Sequence, residues 1–280
     1  MIKKIAVVGA GTMGNGIAQV FAAAGYDTLL FDLGATALEK GMQAIRKNLD
    51  TLVTKEKLTA EEANALFGRI VPVSSVTDCS ADMVLEAIVE DMAIKQNLFR
   101  QLAECNAPDA ILLSNTSSLS ITRLQATIPH PERFAGLHFF NPAPLMKLVE
   151  VVKGERTADV VIETLTAVCR KAGKIPVVCK DAPGFIVNRV ARHYYLEALK
   201  LLEDGVADVA SIDKIMEGAG FKMGPFRLMD LIGMDINYAV SESIYHAFGD
   251  AERFRPSAIQ QQKVEAGELG RKSGRGFYSY

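Results

Sequence analysis

The chain is short of the residues that mark disulfide-built, metal-built or nucleic-acid-binding proteins. Among its 280 residues are four cysteines, Cys79, Cys105, Cys169 and Cys179, and no two form a CxxC pair. Only four histidines occur, His130, His138, His193 and His246, none at metal-ligand spacing beside a cysteine. A disulfide scaffold and a zinc centre are therefore not expected, and reduced thiols in a cytoplasmic protein are. Neither sign of charge is in excess: 31 basic residues face 33 acidic ones, a net charge of −2, so no strong field draws the chain to nucleic acid or to an anionic membrane. Apolar runs stay below the ~18 residues that a membrane span needs. There is no biased segment and no internal repeat. The start, Met1-Ile2-Lys3-Lys4-Ile5-Ala6-Val7-Val8, is basic then apolar, as in a signal peptide. Its apolar run is short, however, and a glycine turn follows it, so it reads as a buried strand.

What is present is an ordinary globular composition, 49% hydrophobic and 23% charged, in a chain long enough for two domains. The first two-thirds alternates β-branched runs with helical patterns. Residues 5–8 read as a buried strand, 12–24 as a helix ended by Gly25, and 28–31 as a second strand. A helical stretch over 35–67 breaks near Lys57-Leu58-Thr59, where Thr59 and Glu62 form a capping-box pattern. It exceeds a normal crossover and reads as an excursion with its own task. Further strands are expected at 70–73, 83–88, 110–113, 133–139, 148–152 and 175–179. Strand and helix in alternation predict parallel pairing and a doubly wound α/β domain. After Asp181-Ala182-Pro183-Gly184 only helical periodicity is left, over 185–203, 207–218, 225–247 and 255–266. The chain therefore divides into an α/β domain over 1–183 and an all-helical domain over 184–280.

Gly9-Ala10-Gly11-Thr12-Met13-Gly14 is a GxGxxG placed between the first strand and the first helix, as in a Rossmann-type domain. Gly9 would make the tight turn, Gly11 would admit a pyrophosphate to the backbone, and Gly14 would let helix and sheet pack. The open N–H groups of Thr12 and Met13 would then face the anion. Asp32, eighteen residues past Gly14, ends the second strand. A carboxylate there accepts hydrogen bonds from ribose hydroxyls and repels a 2′-phosphate, which favours NAD over NADP. Flavoproteins, dehydrogenases and non-catalytic NAD sensors share this half-domain, so the chemistry has to be sought elsewhere.

Strand ends past the switch point supply it. Ser114-Asn115-Thr116-Ser117-Ser118 follows one strand and His138-Phe139-Phe140-Asn141-Pro142 ends another. Glu150 lies in the otherwise apolar Leu148-Val149-Glu150-Val151-Val152. A carboxylate between valines is costly to bury alone, and a histidine on a neighbouring strand would pair with it. Such a pair would orient the imidazole and stabilise its protonated form, allowing it to take an alcohol proton as hydride leaves the same carbon for NAD. Taken on their own, His138 could equally be a core histidine and Glu150 an ion-pair partner of Lys147 or Lys153.

These motifs, with Gly136-Leu137-His138, Met146-Lys147-Leu148-Val149-Glu150, Pro183-Gly184-Phe185-Ile186-Val187-Asn188-Arg189 and Met223-Gly224-Pro225-Phe226, occur in family order. From Ile5 to Tyr278 the sequence resembles the 3-hydroxyacyl-CoA dehydrogenases. The resemblance implies His138 as catalytic base and Glu150 as its orienting carboxylate. It also implies Ser117 and Asn188 as donors near the substrate 3-oxygen and the nicotinamide, so the expected site draws on both domains. NAD contacts are implied for Asp32, Glu90, Lys95, Asn115, Asn141 and Lys272, with Asn141 helping to fix the strand end beside His138. The excursion over 35–67 is similar to the part of the family that holds coenzyme A, which makes Lys47 and Lys55 candidate contacts for an acyl-CoA substrate. The helical domain resembles a dimerisation domain, and the apolar Leu228-Met229-Asp230-Leu231-Ile232-Gly233-Met234 fits a homodimer. Many relatives carry proline where this chain has His193, which puts the local helix path in question. Arg192 with Tyr194-Tyr195, and the segment Arg253-Phe254-Arg255-Pro256-Ser257, resemble the branch acting on 3-hydroxyadipyl-CoA in phenylacetate breakdown, whose far carboxylate an arginine could recognise. Two rivals are a β-hydroxyacid dehydrogenase of the 6-phosphogluconate type, which uses a lysine, and a non-catalytic NAD-binding relative.

Overall fold

A computed structural model describes residues 2–280. The chain forms two compact units, Met1–Ala182 and Pro183–Tyr280. The first carries an eight-stranded sheet: β1 (Lys4–Val8), β2 (Asp27–Phe31), β3 (Ile70–Val73), β4 (Met83–Glu86), β5 (Ile111–Ser114), β6 (Phe134–Phe139), β7 (Leu148–Lys153) and β8 (Ile175–Lys180). Its order is β3-β2-β1-β4-β5-β6-β7-β8. The chain winds outward from β1 to β3 and then returns to β4, so the loops after β1 and β4 diverge at a switch point. Helices α1 (Thr12–Ala23), α2 (Ala35–Thr54), α3 (Ala60–Gly68), α4 (Met92–Cys105), α5 (Ile121–Gln125) and α6 (Asp159–Lys171) connect the strands.

All pairings are parallel except one. β7 runs antiparallel to β6, and the wholly parallel sheet expected from strand–helix alternation fails at this point. The physical reason is the connection: residues 140–147 are too few for a crossover, which needs a dozen or more. The antiparallel turn sets His138 directly opposite Glu150. Strands β1, β4, β5 and β6 are buried almost throughout, as helices on both faces require. The core gathers Ile5, Val7, Leu85, Leu113 and Leu137 of the sheet against Ile17 and Phe21 of α1 and Leu165 of α6.

The excursion divides where the capping box was expected. Thr59 Oγ1 accepts from the Glu62 N–H at 3.1 Å, and Glu62 accepts from the Thr59 N–H at 2.8 Å. Arg46 of α2 stacks over the Phe67 ring of α3 at 4.0 Å and donates to Asn64 at 2.8 Å.

The second unit is helical: α7 (Val187–Glu203), α8 (Val209–Gly218), α9 (Pro225–Ile232), α10 (Met234–Ala247) and α11 (Ala258–Glu265). The continuous helix expected over 225–247 is broken at Gly233, whose φ of +102° leaves the helical region. α7 runs unbroken through the exposed His193, which lies against Phe254 with 5.1 Å between ring centroids. Two buried carboxylates fix the chain end: Asp230 accepts from the N–H groups of Phe277 and Tyr278, and Asp213 from the Tyr278 hydroxyl. No helix among the described residues is long and apolar enough to cross a membrane.

Replacing Thr59 by alanine removes one half of the capping box. We expect a loss of about 1 kcal/mol of unfolding free energy, read from the denaturant midpoint. An unchanged midpoint would show that packing alone holds α3.

Candidate active site

The loop after β1 is shaped by the absence of side chains. Gly9 has φ +105°, and a Cβ there would lie 2.5 Å from the Ala87 carbonyl oxygen after β4. A Cβ on Gly14 would fall 1.6 Å from the Gly9 carbonyl oxygen, so α1 packs on the turn at a distance only glycine permits. Gly11 faces open space, with nothing within 4 Å of a Cβ. It also occupies the N-cap of α1 without a capping side chain, so the Thr12 and Met13 amides open towards an incoming anion. Asp32, just past β2, accepts from Ala10 N at 2.8 Å and Gly34 N at 3.0 Å, which holds its carboxylate beside the glycine turn. An open backbone at Gly11, an uncapped helix start and an acid at the end of β2 fit a dinucleotide.

Further along the same sheet, His138 Nδ1 lies 2.7 Å from Glu150 Oε2, with side chains 7% and 1% exposed. The register between β6 and β7 makes this contact, and the tilted Phe140 ring lies against the imidazole at 4.5 Å between centroids. The loop that follows is pinned from below: the buried Lys174 ammonium donates to Ala143 O at 2.6 Å and Met146 O at 2.8 Å. The side chain that ties the end of β6 is Asn115, whose Oδ1 accepts from Phe139 N at 2.8 Å. Asn141 is exposed, and its Cα precedes a cis peptide to Pro142. Clamping the strand end, expected of Asn141, thus falls to Asn115.

A third cluster lies under the Ser114–Ser118 loop. Glu90 Oε1 accepts from Thr116 Oγ1 at 2.6 Å, Ser117 N at 2.8 Å and Ser118 N at 3.2 Å, gathering the whole turn onto one oxygen. Its other oxygen lies 3.2 Å from the Lys95 ammonium. Lys95 is 1% exposed and also pairs with the fully buried Glu86. Burial works to raise the Glu90 pKa, but the Lys95 charge and the Thr116 and Ser117 donors together hold it below the ordinary carboxylate value. Burial does raise that of Glu86. Yet Ile88 N, Lys95 Nζ and Ser114 Oγ all donate to it, and Ser114 Oγ takes the Thr116 N–H, so the geometry is that of a carboxylate.

The remaining expected site residues lie in other regions. Lys47 and Lys55 are exposed on and just after α2, where with Arg46, Glu39, Asp50 and Phe67 they line a groove of about 700 Å³. Asn188 is half-buried in the first turn of α7 and belongs to the helical unit. Lys272, of the same unit, pairs with Asp235 at 2.6 Å. Glu86 and Ser114 were missed as functional candidates. The signal for Glu86 was present: like Glu150, it is an acid inside an apolar strand pattern. No group of three metal-ligating side chains occurs among the described residues. All four cysteines are free thiols, and burial pushes Cys79 and Cys169 up to about 12.

Sheet order, glycine loop and strand-end acid define a dinucleotide-binding α/β unit joined to a helical one. Residues 4–182 match the family model "3-hydroxyacyl-CoA dehydrogenase, NAD binding domain", and residues 184–280 match that of the C-terminal domain of the same enzymes. A 3-hydroxyadipyl-CoA dehydrogenase of Escherichia coli is 50% identical across 100% of this chain, which spans 59% of that relative's length. A probable 3-hydroxybutyryl-CoA dehydrogenase of Deinococcus radiodurans is 43% identical over 99% of this chain and 100% of its own. Among solved structures, the (S)-3-hydroxybutyryl-CoA dehydrogenase of Ralstonia eutropha superimposes with a TM-score of 0.96 at 39% identity, covering 100% of this chain and 99% of that one. The chain belongs to the 3-hydroxyacyl-CoA dehydrogenase family of NAD-dependent oxidoreductases.

Gly14→Ala forces its Cβ into the Gly9 carbonyl. Calorimetric titration with NADH is expected to show binding weakened by more than about tenfold, since the phosphate cradle must open. Wild-type affinity would contradict the role given to this contact.

Proposed function

We propose that the protein oxidises (S)-3-hydroxyacyl-CoA to 3-oxoacyl-CoA reversibly, with NAD as the redox partner. The observation that carries this reading is the buried His138–Glu150 pair at the end of β6. NAD supplies the hydride acceptor when bound. Glu150 accepts at Nδ1, which fixes the imidazole ring and leaves proton exchange with the substrate to Nε2. His138 takes the 3-hydroxyl proton, and the Glu150 carboxylate stabilises the imidazolium that results. In the reverse direction the imidazolium returns the proton to the ketone oxygen. Ser117 and Asn188 act as neutral donors to that oxygen, adding no further titrating group. Asp32 meets the ribose hydroxyls, while Asn115, Asn141, Glu90, Lys95 and Lys272 complete the cofactor contacts, and NAD is preferred to NADP. The groove beside α2 supports Lys47 and Lys55 as coenzyme A contacts. Exposed Val206, Ile215, Phe221, Leu231 and Ile236 on the helical unit support a homodimer. Four free thiols fit the reducing cytoplasm.

A second reading narrows the substrate to one with a distal carboxylate, such as 3-hydroxyadipyl-CoA. Arg192 favours it. Its guanidinium is buried and donates to Asn237 O and Ser241 Oγ, both at 2.8 Å, and to Asn188 O at 3.3 Å, and no carboxylate pairs with it among the described residues. Burial lowers its pKa to about 10, so it stays charged, and a buried charge calls for an opposite one. The name of the E. coli relative agrees with this class of substrate.

His138→Ala is expected to cut turnover of acetoacetyl-CoA, followed by NADH absorbance, by the general-base factor of ~10²–10⁴. Unchanged turnover would remove His138 from the chemistry. Against 3-oxoadipyl-CoA, the second reading expects Arg192→Met to lose at least about tenfold in kcat/KM while acetoacetyl-CoA is spared. An equal loss on both substrates would make Arg192 a packing residue only.

A further inference from the structure

Glu86 has no part in the chemistry above, yet it is the most completely buried acid of the sheet, 0% exposed at the C-terminal end of β4. It shares one cation with a second acid. Lys95 lies between Glu86 and Glu90, and no other cation pairs with either carboxylate among the described residues. The three groups therefore sum to one negative charge. Hydrogen bonding holds that charge in place: Glu86 is surrounded by donors only, and one Glu90 oxygen accepts from five donors of the turn, the Thr116 hydroxyl and the N–H and hydroxyl groups of Ser117 and Ser118. Of the two acids Glu90 is the outer one, its side chain 35% exposed. The excess charge thus reaches the surface of the cluster at Glu90 and the serine turn.

We propose that Glu86 is a positioning residue of the cofactor site: by drawing Lys95 partly away from Glu90 it leaves a net negative charge there, which favours the oxidised, positively charged nicotinamide over the neutral reduced one. The proposal rests on the reading above that Glu90 contacts the cofactor and that Ser117, whose N–H donates to Glu90, lies near the nicotinamide. A glutamine at position 86 keeps the shape but removes the charge. The Lys95 ammonium then pairs with Glu90 alone, and the cluster becomes neutral. A Coulomb effect of this kind bears on the charged ring and spares the neutral one.

The test is calorimetric titration of NAD+ and NADH into the wild-type protein and its Glu86→Gln, Glu86→Asp and Glu90→Gln variants. Glu86→Gln is expected to weaken NAD+ by about fivefold relative to NADH. Glu86→Asp is expected to restore most of the preference. Retained NADH binding serves as the check that the site is intact. Should Glu86→Gln not fold, Ser114→Ala removes one donor from the Glu86 carboxylate and so favours its neutral, protonated form, which releases Lys95 towards Glu90 and is expected to shift the ratio the same way by about twofold. An unchanged ratio, or equal loss of both cofactors, in the variant that folds would overturn the proposal while leaving the dehydrogenase reading intact. If Glu90→Gln altered the binding of neither cofactor, the placement of Glu90 at the nicotinamide would fail, and this proposal with it.

Discussion

A carboxylate and an imidazole 2.7 Å apart, each almost wholly removed from water, are the contact on which the candidate site turns. Either group alone would be costly in a strand of valines and phenylalanines, and together they satisfy one another. The pairing depends on backbone register. β6 and β7 are joined by a connection too short to cross over, so β7 must return antiparallel, and that return sets position 138 opposite position 150. A slip of β7 by one residue would turn Glu150 to the face of the sheet opposite His138. Several groups guard against it, among them the Asn115 amide that accepts from Phe139 N and the Lys174 ammonium that holds two carbonyls of the loop.

The α/β unit divides its work along the sheet. At the switch point between β1 and β4 the backbone is left bare, because close contacts there forbid a Cβ at Gly9 and Gly14. Towards β5 and β6, side chains take over and are themselves held by buried hydrogen bonds. The serine turn is not a loose loop: one oxygen of Glu90 gathers its donors, and Lys95 and Glu86 support that acid from beneath. Strand ends thus supply both the anion cradle and a rigid polar constellation, a common arrangement in parallel sheets because their carboxyl ends open onto one crevice.

The sequence disclosed some parts of this more readily than others. The glycine loop was legible because its spacing reports steric limits that only glycine meets. Thr59 and Glu62 were legible because a capping box is local. Glu150 stood out as an acid in an apolar strand, and His138 as the one histidine at a strand end. Glu86 carries the same signal, but its neighbour Lys95 is nine residues away on a helix, and only the folded sheet brings the two together. The break at Gly233 was hidden because apolar periodicity continues on both sides of it, and a left-handed φ leaves no trace in hydrophobic pattern. The antiparallel return of β7 was knowable from loop length alone, against the stronger habit of strand–helix alternation. Arg192 could be seen as a cation, but its burial without an acid could not, since that depends on the packing of α7 against α10.

The most direct test of the account is the protonation state of one ring. Nitrogen-15 NMR of histidine-labelled protein at neutral pH, with His138 assigned among the four histidines by its loss in His138→Asn, reports which nitrogen carries the proton. A carboxylate accepting at Nδ1 predicts that the neutral form of the ring carries its proton there, with the lone pair on Nε2. A proton found on Nε2, with Nδ1 bare, would mean that Glu150 does not orient the imidazole, and Nε2 would have no lone pair with which to take the substrate proton.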